Sequence, residues 1–418
     1  MHILFLTENF PPETNAAATR VYERACFWAN WGHRVTVVTC APNFPRGKLF
    51  PEYKNSWLQC QEMSGIRVIR VKTFITRNEG VFLRALDFLS FMVTGLVAGL
   101  REPKPDVVVA TSPQFFAAVA GWALGKIRGT PFVFELGDLW PASIAAVGAL
   151  HEGFWLRLME KFELYLYQSS ECVIALTGAF KTNLVVRGIS PDKIAVVVNG
   201  VDLSRYGLRP RDKTLAQTWG LEGCFVVGYV GTHGMAHALG NVLDTAARLR
   251  HVERLRFILV GSGAERIKLM IEARHRRLNN VIFMPPQPKD DIPVVWSLCD
   301  VALVHLKNSP VFREVIPSKM FEAMGMGLPL ILASPDGEAS QILATDKAGI
   351  WVPAEDPTAL AEATMKLLED DGLRHAYGQQ SLAAAPLHTR ERQARQMIEA
   401  LDLAAQGRGG EVTALHPS

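Results

Sequence analysis

Two carboxylates eight residues apart, Glu314 and Glu322, frame the stretch of this chain whose residue types best suit a polyhydroxylated ligand. A carboxylate one turn into a helix can accept hydrogen bonds from vicinal hydroxyls, and the helix N-terminus before it is a ready anion site. The residues between them read as a helix start. Pro317 suits a first turn, where its missing N–H costs nothing, and Gly325 and Gly327 end the helix before the next apolar run. Ser318 and Lys319 fall at that start, where two backbone amides and an ammonium could together meet a diphosphate. A solvated helix face carries the same Glu spacing, and Lys319 could equally pair with Glu314 or Glu322 and orient it.

Other candidates lie in what read as post-strand loops. His233 and His237 are four apart and could share one helical face, as a metal pair would. No Glu or Cys nearby supplies a third ligand, so a diphosphate contact or an internal hydrogen bond is the simpler role. Asp138 follows the run Pro131 to Glu135 and could orient an acceptor or take its proton, or cap a helix begun near Pro141. Gly263 in Val260-Gly261-Ser262-Gly263, and Gly337 beside Glu338, fit close backbone approach to a ligand or plain turn chemistry.

These residues need strands and helices to hold them. Short apolar runs recur between helix-length segments: Ile3 to Leu6, Arg34 to Thr39, Val107 to Ala110, Pro131 to Glu135, Cys172 to Ala175 and Ala195 to Val198. After a charged stretch, Arg209 to Lys213, that reads as a linker, the pattern restarts at Phe225 to Val230, Phe257 to Val260, Val281 to Met284, Val301 to Val304 and Leu328 to Leu332. Near-continuous apolar runs of this kind are strands covered on both faces, so the expected fold class is α/β, with two doubly wound parallel sheets. Boundaries are expected at 1–205 and 206–387, with a helix near 388–403 packing back on the first domain and a frayed tail over 406–418. Ligands of open parallel sheets sit beyond the carboxyl ends of the strands, so two such domains facing one another would form a cleft.

The segment from Glu314 through Glu322, continued by Ala323-Met324 and by Gly327-Leu328-Pro329, resembles the donor site of family-four glycosyltransferases of the GT-B fold. Asn199-Gly200-Val201-Asp202, Val260-Gly261-Ser262-Gly263 and Gly337-Glu338 fall in that family's order, and the likeness runs from the first strand to about Leu401. Pro11-Pro12-Glu13-Thr14, Asp138-Leu139-Trp140-Pro141, Gly231-Thr232-His233-Gly234-Met235 and Pro317-Ser318-Lys319 are most similar to amino-sugar transferases of bacterial surface-polysaccharide assembly. The resemblance implies a retaining transferase that uses a UDP-sugar and needs neither metal nor other cofactor. It also implies that Glu322 holds the ribose, Glu314 faces the donor sugar, Gly337 and Glu338 approach the donor, and Gly263 marks the base side. Two departures stand out. The family's Arg and Lys after the first strand of the second domain are replaced by Gly231 to Ala238, which has only histidines, and its N-terminal glycine-rich loop is replaced by Asn15-Ala16-Ala17-Ala18-Thr19, an acceptor-side loop of small residues.

Composition sets outer limits. With 418 residues, 49% hydrophobic, and a formal charge of +3, the chain is long enough for two or three domains and has no basic excess that would point to nucleic acid. Six scattered cysteines without CxxC spacing suggest neither a zinc cage nor a disulfide framework and suit a reducing cytosol. Met1 to Thr7 reads as a strand, not a signal peptide, and the apolar stretch Phe88 to Leu100 is shorter than the roughly 20 residues that span a bilayer. Phe44, Arg46, Lys48, Phe50 and Tyr53 mix basic and aromatic side chains, so an anionic membrane surface on the cytoplasmic side is an expected partner, beside a lipid-linked or saccharide acceptor. A UDP-sugar 2-epimerase and a non-catalytic nucleotide-sugar-binding scaffold are the rival readings.

Overall fold

A computed structural model describes residues 1–13, 15–44, 47–76, 81–112, 115–139 and 153–415. The chain forms two units: Met1–Asn199 with Arg390–Ser418, and Gly200–Thr389. Both are α/β with parallel sheets. The chain passes between units within the Asn199-Gly200 dipeptide, earlier than the expected boundary at 205, and returns at Arg390.

In the N-terminal unit, strands β1 (His2–Leu6), β2 (Arg34–Cys40), β3 (Leu58–Met63), β4 (Ile66–Val71), β5 (Val107–Thr111), β6 (Phe132–Leu136), β7 (Cys172–Ala175) and β8 (Ile194–Val196) lie in the order β3-β4-β2-β1-β5-β6-β7-β8. Only β3 runs antiparallel to its neighbour. Its exposure alternates along the strand, as it must at a sheet edge, whereas β1, β5 and β6 are buried throughout. Helices α1 (Ala16–Asn30), α2 (Val81–Arg101), α3 (Phe115–Arg128), α4 (Phe154–Ser169) and α5 (Gly178–Val186) connect them. Gly99 lets α2 lie close on α3, since a Cβ there would fall 2.6 Å from the Leu124 methyl. Among the described residues no helix is long and apolar enough to cross a membrane.

The C-terminal unit holds β9 (Phe225–Val230), β10 (Leu255–Val260), β11 (Val281–Met284), β12 (Val301–His305), β13 (Leu330–Ser334) and β14 (Gly349–Pro353), all parallel, in the order β11-β10-β9-β12-β13-β14. Renumbered from β9 this is 3-2-1-4-5-6, the doubly wound order whose switch point, between β9 and β12, opens a crevice at the carboxyl ends of the strands. Its helices are α6 (Lys213–Thr218), α7 (Gly240–Arg248), α8 (Arg266–His275), α9 (Ile292–Trp296), α10 (Lys319–Gly325), α11 (Glu338–Asp346), α12 (Pro357–Glu369) and α13 (Asp371–Ala384). The presumptive linker is part of this unit. Arg211 pairs with Asp300 at 3.2 Å and donates to the carbonyls of Leu221 and Cys224, while Asp212 caps α6 through the Leu215 amide. A charged run can look like a linker and still be held down by its own ion pairs.

After the return, α14 (Arg390–Ala405) buries Ala394, Met397, Ile398 and Leu401 in the N-terminal core with Trp28, whose indole N–H donates to the Ala394 carbonyl. Residues 409–415 of the expected frayed tail are folded. A 3-10 turn over Gly409–Leu415 buries Val412, and the Gly409 amide donates to Glu171 at 3.1 Å. Lys181 donates to the Thr413 hydroxyl at 2.9 Å. The segment covers the β7–β8 edge of the sheet, whose open backbone groups would otherwise be exposed.

Candidate functional site

The loops after β9 and β12 meet at the switch point. Lys307 N–H donates to the Ala236 carbonyl at 2.8 Å, and His237 Nδ1 lies 3.3 Å from the His305 carbonyl. His305 ends β12, is fully buried, and reaches Asn241 Nδ2 through Nε2 at 2.8 Å. His233 and His237 do not share a helical face: only Met235–His237 form a 3-10 turn, and the two rings approach Tyr229 separately, at 6.0 and 5.9 Å between centroids. Burial makes all three imidazoles hard to protonate, pulling His233 and His305 down to about 4 and His237 to about 3, with Lys319 adding to each. At neutral pH they are uncharged.

Lys319 brings a cation to this crevice, and the charge of Arg266 also reaches His233. Lys319 is the first residue of α10, and its ammonium lies 4.0 Å from the centroid of the Tyr229 ring. The space it occupies exists because residue 231 is glycine, where a Cβ would fall 2.7 Å from the ammonium. Burial lowers its pKa to about 8, against the opposing charge of Glu322 one turn on. Tyr229 is itself fixed by donating its hydroxyl to the Thr232 carbonyl at 2.7 Å. The helix starts two residues later than Pro317 suggested. Ser318 is its N-cap residue and uses its carbonyl, not its hydroxyl, to accept from Phe321 and Glu322.

The glycines hold loops together at this site. At Gly263 a Cβ would lie 2.4 Å from the His233 carbonyl oxygen, and at Gly261 only 1.9 Å from that of Gly231. His233 also exchanges backbone bonds with Ser262 and Glu265. The side-chain-free face of Gly263 therefore lies against the His233 backbone. Gly337 does the same for the Glu314 side, where a Cβ would fall 2.2 Å from the Arg313 carbonyl oxygen. Glu314 closes a 3-10 turn over Pro310–Glu314, and Glu338 opens α11, whose start is fastened by the Gly337 amide donating to the Ser340 hydroxyl at 2.9 Å. Lys319, Glu322, His233, His237 and Gly263 thus gather around the β9 and β12 ends, and Glu314 with Gly337 and Glu338 beside β13.

In the N-terminal unit the outcome differs. Asn15, Ala16 and Ala17 are not a loop: Asn15 is the N-cap of α1, accepting from the Ala18 amide at 2.9 Å, and the alanines form its first turn. Asp138 follows β6, its amide and carbonyl each 3.3 Å from the Ser112 hydroxyl; the helix begun near Pro141 that it was weighed against lies outside the described residues, as does Arg46. The segment after β2 is folded down, with Glu13 accepting from the amides of Asn43 and Phe44 at 2.8 Å and Arg70 stacked on Tyr53. Phe44, Lys48 and Leu49 stay exposed there.

Tyr229 and His305 carry the site and were not among the sequence candidates. Each sits within or directly after an apolar run, Phe225 to Val230 and Val301 to Val304, and the legible signal was a polar ring at the carboxyl end of a buried strand. A third group, Arg20, Arg24 and Glu135, joins α1 to β6. Arg24 and Arg20 converge on one oxygen of Glu135 at 2.5 and 3.1 Å, all three buried. Arg390 extends the network to Glu23 at 2.9 Å and to Asn199 at 3.3 Å.

Residues 15–200 match the family described as Glycosyl transferase 4-like domain, and residues 214–383 that described as Glycosyl transferases group 1. A glycosyl transferase of Escherichia coli (strain K12) named for colanic acid biosynthesis, WcaI, is 25% identical over 335 residues, covering 78% of this chain and 82% of its own. The GDP-mannose-dependent alpha-mannosyltransferase of Mycolicibacterium smegmatis is 24% identical, covering 90% of this chain and 91% of its own. The crystal structure of Anabaena HepE in complex with UDP-glucose superposes with a TM-score of 0.73 at 21% identity, covering 96% of this chain and 99% of that one.

Proposed function

From the premise that this chain belongs to the glycosyltransferases of the GT-B fold, we propose that it moves an N-acetylated amino sugar from a UDP-sugar to a lipid-linked or saccharide acceptor, with retention and without a metal, in surface-polysaccharide synthesis. The observation that carries this is Lys319, a cation seated on an aromatic ring at the switch point of the C-terminal sheet. A nucleoside diphosphate leaving group gains negative charge as its bond to the sugar breaks, and a positioned cation that needs no reorganisation stabilises that charge. Lys319 fills the role for which the histidines, uncharged here, are unsuited.

Glu322 accepts from the ribose hydroxyls and Glu314 from the donor sugar, with the backbone at Gly337 and Glu338 beside it. His233, His237 and Ser318 line the phosphates, and Gly263 borders the base. The acceptor oxygen bonds to the anomeric carbon as the carbon–phosphate oxygen bond breaks, and the departing diphosphate takes the acceptor proton. Asp138, with the first turn of α1 at Asn15, Ala16 and Ala17, serves the acceptor. The work is done on the cytoplasmic side, against an anionic membrane surface. HepE's UDP-glucose complex and the colanic acid name of WcaI support a UDP donor and a polysaccharide product, while the GDP-mannose relative makes the base the point to test.

The test is a panel of UDP- and GDP-sugars scored by nucleotide release with and without membrane lipid extract. UDP-N-acetylamino sugars should turn over, and only with acceptor present. Turnover with GDP-sugars alone would sink the donor assignment, and rapid release of UDP without any acceptor would favour the epimerase.

A further inference from the structure

The helix α2 has an apolar face on both sides. Phe91, Ala98 and Gly99 are buried against α3 and the sheet, as a surface helix requires. Yet Leu83, Leu86, Leu89, Val93 and Val97, which follow one another at helical spacing on the opposite side, are exposed, Val93 by 56%. An ordinary surface helix carries charged and polar residues there. The charged residues of α2 are Arg84, Asp87 and Arg101. Asp87 is half-buried and its charge acts on the buried Cys40 thiol, so the acidic group belongs to the inner side, while Arg101 continues the outer stripe one turn beyond Val97.

A second feature adjoins the stripe. Phe74 N–H donates to the Ser90 hydroxyl of α2 at 2.7 Å, which sets the segment after β4 against the middle of the helix with the Phe74 side chain half in solvent. Two residues earlier, the Lys72 ammonium lies 4.7 Å from the ring of Trp57, which is 74% exposed. At the far end, Arg128 donates to the Leu100 and Glu102 carbonyls, with Lys126 and Ile127 exposed beside it, and the Glu102 carboxylate is taken up by Arg67.

We infer that this face of the N-terminal unit, the outer stripe of α2 with Trp57, Lys72 and Phe74, rests in the headgroup layer of a bilayer containing anionic lipid. An aliphatic stripe too short to span, edged by an aromatic ring that carries an ammonium, is the composition of a helix that lies in the plane of the interface, with the rings at headgroup depth and the cations against lipid phosphate. The surface differs from the Phe44 to Tyr53 segment, which follows β2 and is tied to Glu13 and Arg70. The inference extends the membrane-side reading above, and its test needs no sugar transfer, so each stands or falls separately.

Flotation of the full chain with vesicles decides it. Binding to phosphatidylcholine–phosphatidylglycerol vesicles is expected to exceed that to phosphatidylcholine alone and to fall as salt rises. Val93→Glu with Val97→Glu should weaken it about tenfold or more, since each removes the transfer of a valine side chain and adds a like charge to an anionic surface. Both sites are exposed, so the thermal midpoint should hold. Brominated lipid should quench tryptophan emission in the native chain, and Trp57→Phe should lose most of that quenching while keeping its fold. Vesicle binding untouched by the paired glutamates, or quenching untouched by Trp57→Phe, overturns the assignment, as does a dimer in solution that the same glutamates dissolve while the native chain ignores vesicles.

Discussion

Each unit holds positive charge near the carboxyl ends of its strands, and the two arrangements are unlike. At β6, Arg20 and Arg24 share a full negative charge: Glu135 holds them at hydrogen-bond distance, stays ionised because they are there, and its charge partly offsets the burial that brings Arg24 down to about 10. At β9 the ammonium of Lys319 lies on a neutral ring among neutral imidazoles, and its pKa falls to about 8 with Glu322 alone opposing the descent. The first cluster carries its own counter-charge and works as a structural tie, although Arg24 Nε and Glu135 Oε2 make no hydrogen bond among the described residues. The second is improved by any anion that enters, which is the electrostatic condition of a binding site.

The largest expected effect breaks the ion-paired cluster. Glu135→Gln leaves two buried guanidiniums without their counter-charge and should cost about 3–5 kcal/mol of stability in urea unfolding, while the UDP affinity of the protein that remains folded stays unchanged. A loss of affinity with stability intact would reverse the roles given to the two clusters. Next come the site residues. Lys319→Met and Glu322→Ala should each weaken UDP binding roughly 10- to 100-fold in calorimetry, the range of a charged hydrogen bond. They should differ with uridine, which lacks phosphate: Glu322→Ala weakens it and Lys319→Met does not, with Lys319→Arg partly restoring UDP. If Lys319→Met weakens both ligands alike, the lysine only orients the ribose carboxylate and the phosphates belong to His233 and His237.

A smaller effect follows from the sign of the lysine's shift. Its pKa is depressed from 10.5 to about 8, so the free site is cationic below pH 8 and neutral above it. UDP affinity should be level below that point and fall by up to about tenfold per pH unit above it, because binding must then return the proton. The slope should vanish in Lys319→Met. A slope that survives there would assign the titration elsewhere. The smallest effect is none at all: chelators should leave turnover unchanged, since the proposed charge on the leaving group is met by Lys319 and backbone amides. Loss of turnover in EDTA that a divalent ion restores would end the metal-free reading.

The strands were readable because burial on both faces writes a continuous apolar run, as at Phe225–Val230 and Val107–Thr111. The hairpin of β3 and β4 was not, since half of an edge strand is polar and Leu58–Met63 has no such run. Residue types also marked a helix start, with the Glu314 to Glu322 segment landing on α10 and the turn before it. What the sequence could not convey was partnership across distant residues. Lys319 needs Tyr229 and the vacancy at Gly231, and Gly263 needs the backbone of His233; none of these pairs is near in sequence. The same gap turned Arg209 to Lys213 into a linker and residues 409–415 into a tail, because Asp300 and Glu171, which hold them, lie far along the chain.

The last helix has a consequence for the order in which the protein is made. The N-terminal core is assembled from Met1–Asn199 and Arg390–Ser418, so Trp28, Val21 and Ala25 have no Ala394, Met397 or Leu401 to close upon until those later residues are made. The intervening unit, Gly200–Thr389, is contiguous and has its full complement of strands by then. A nascent chain can therefore complete the unit Gly200–Thr389 while its first unit is still open, with the apolar floor beneath α1 waiting for α14 to emerge.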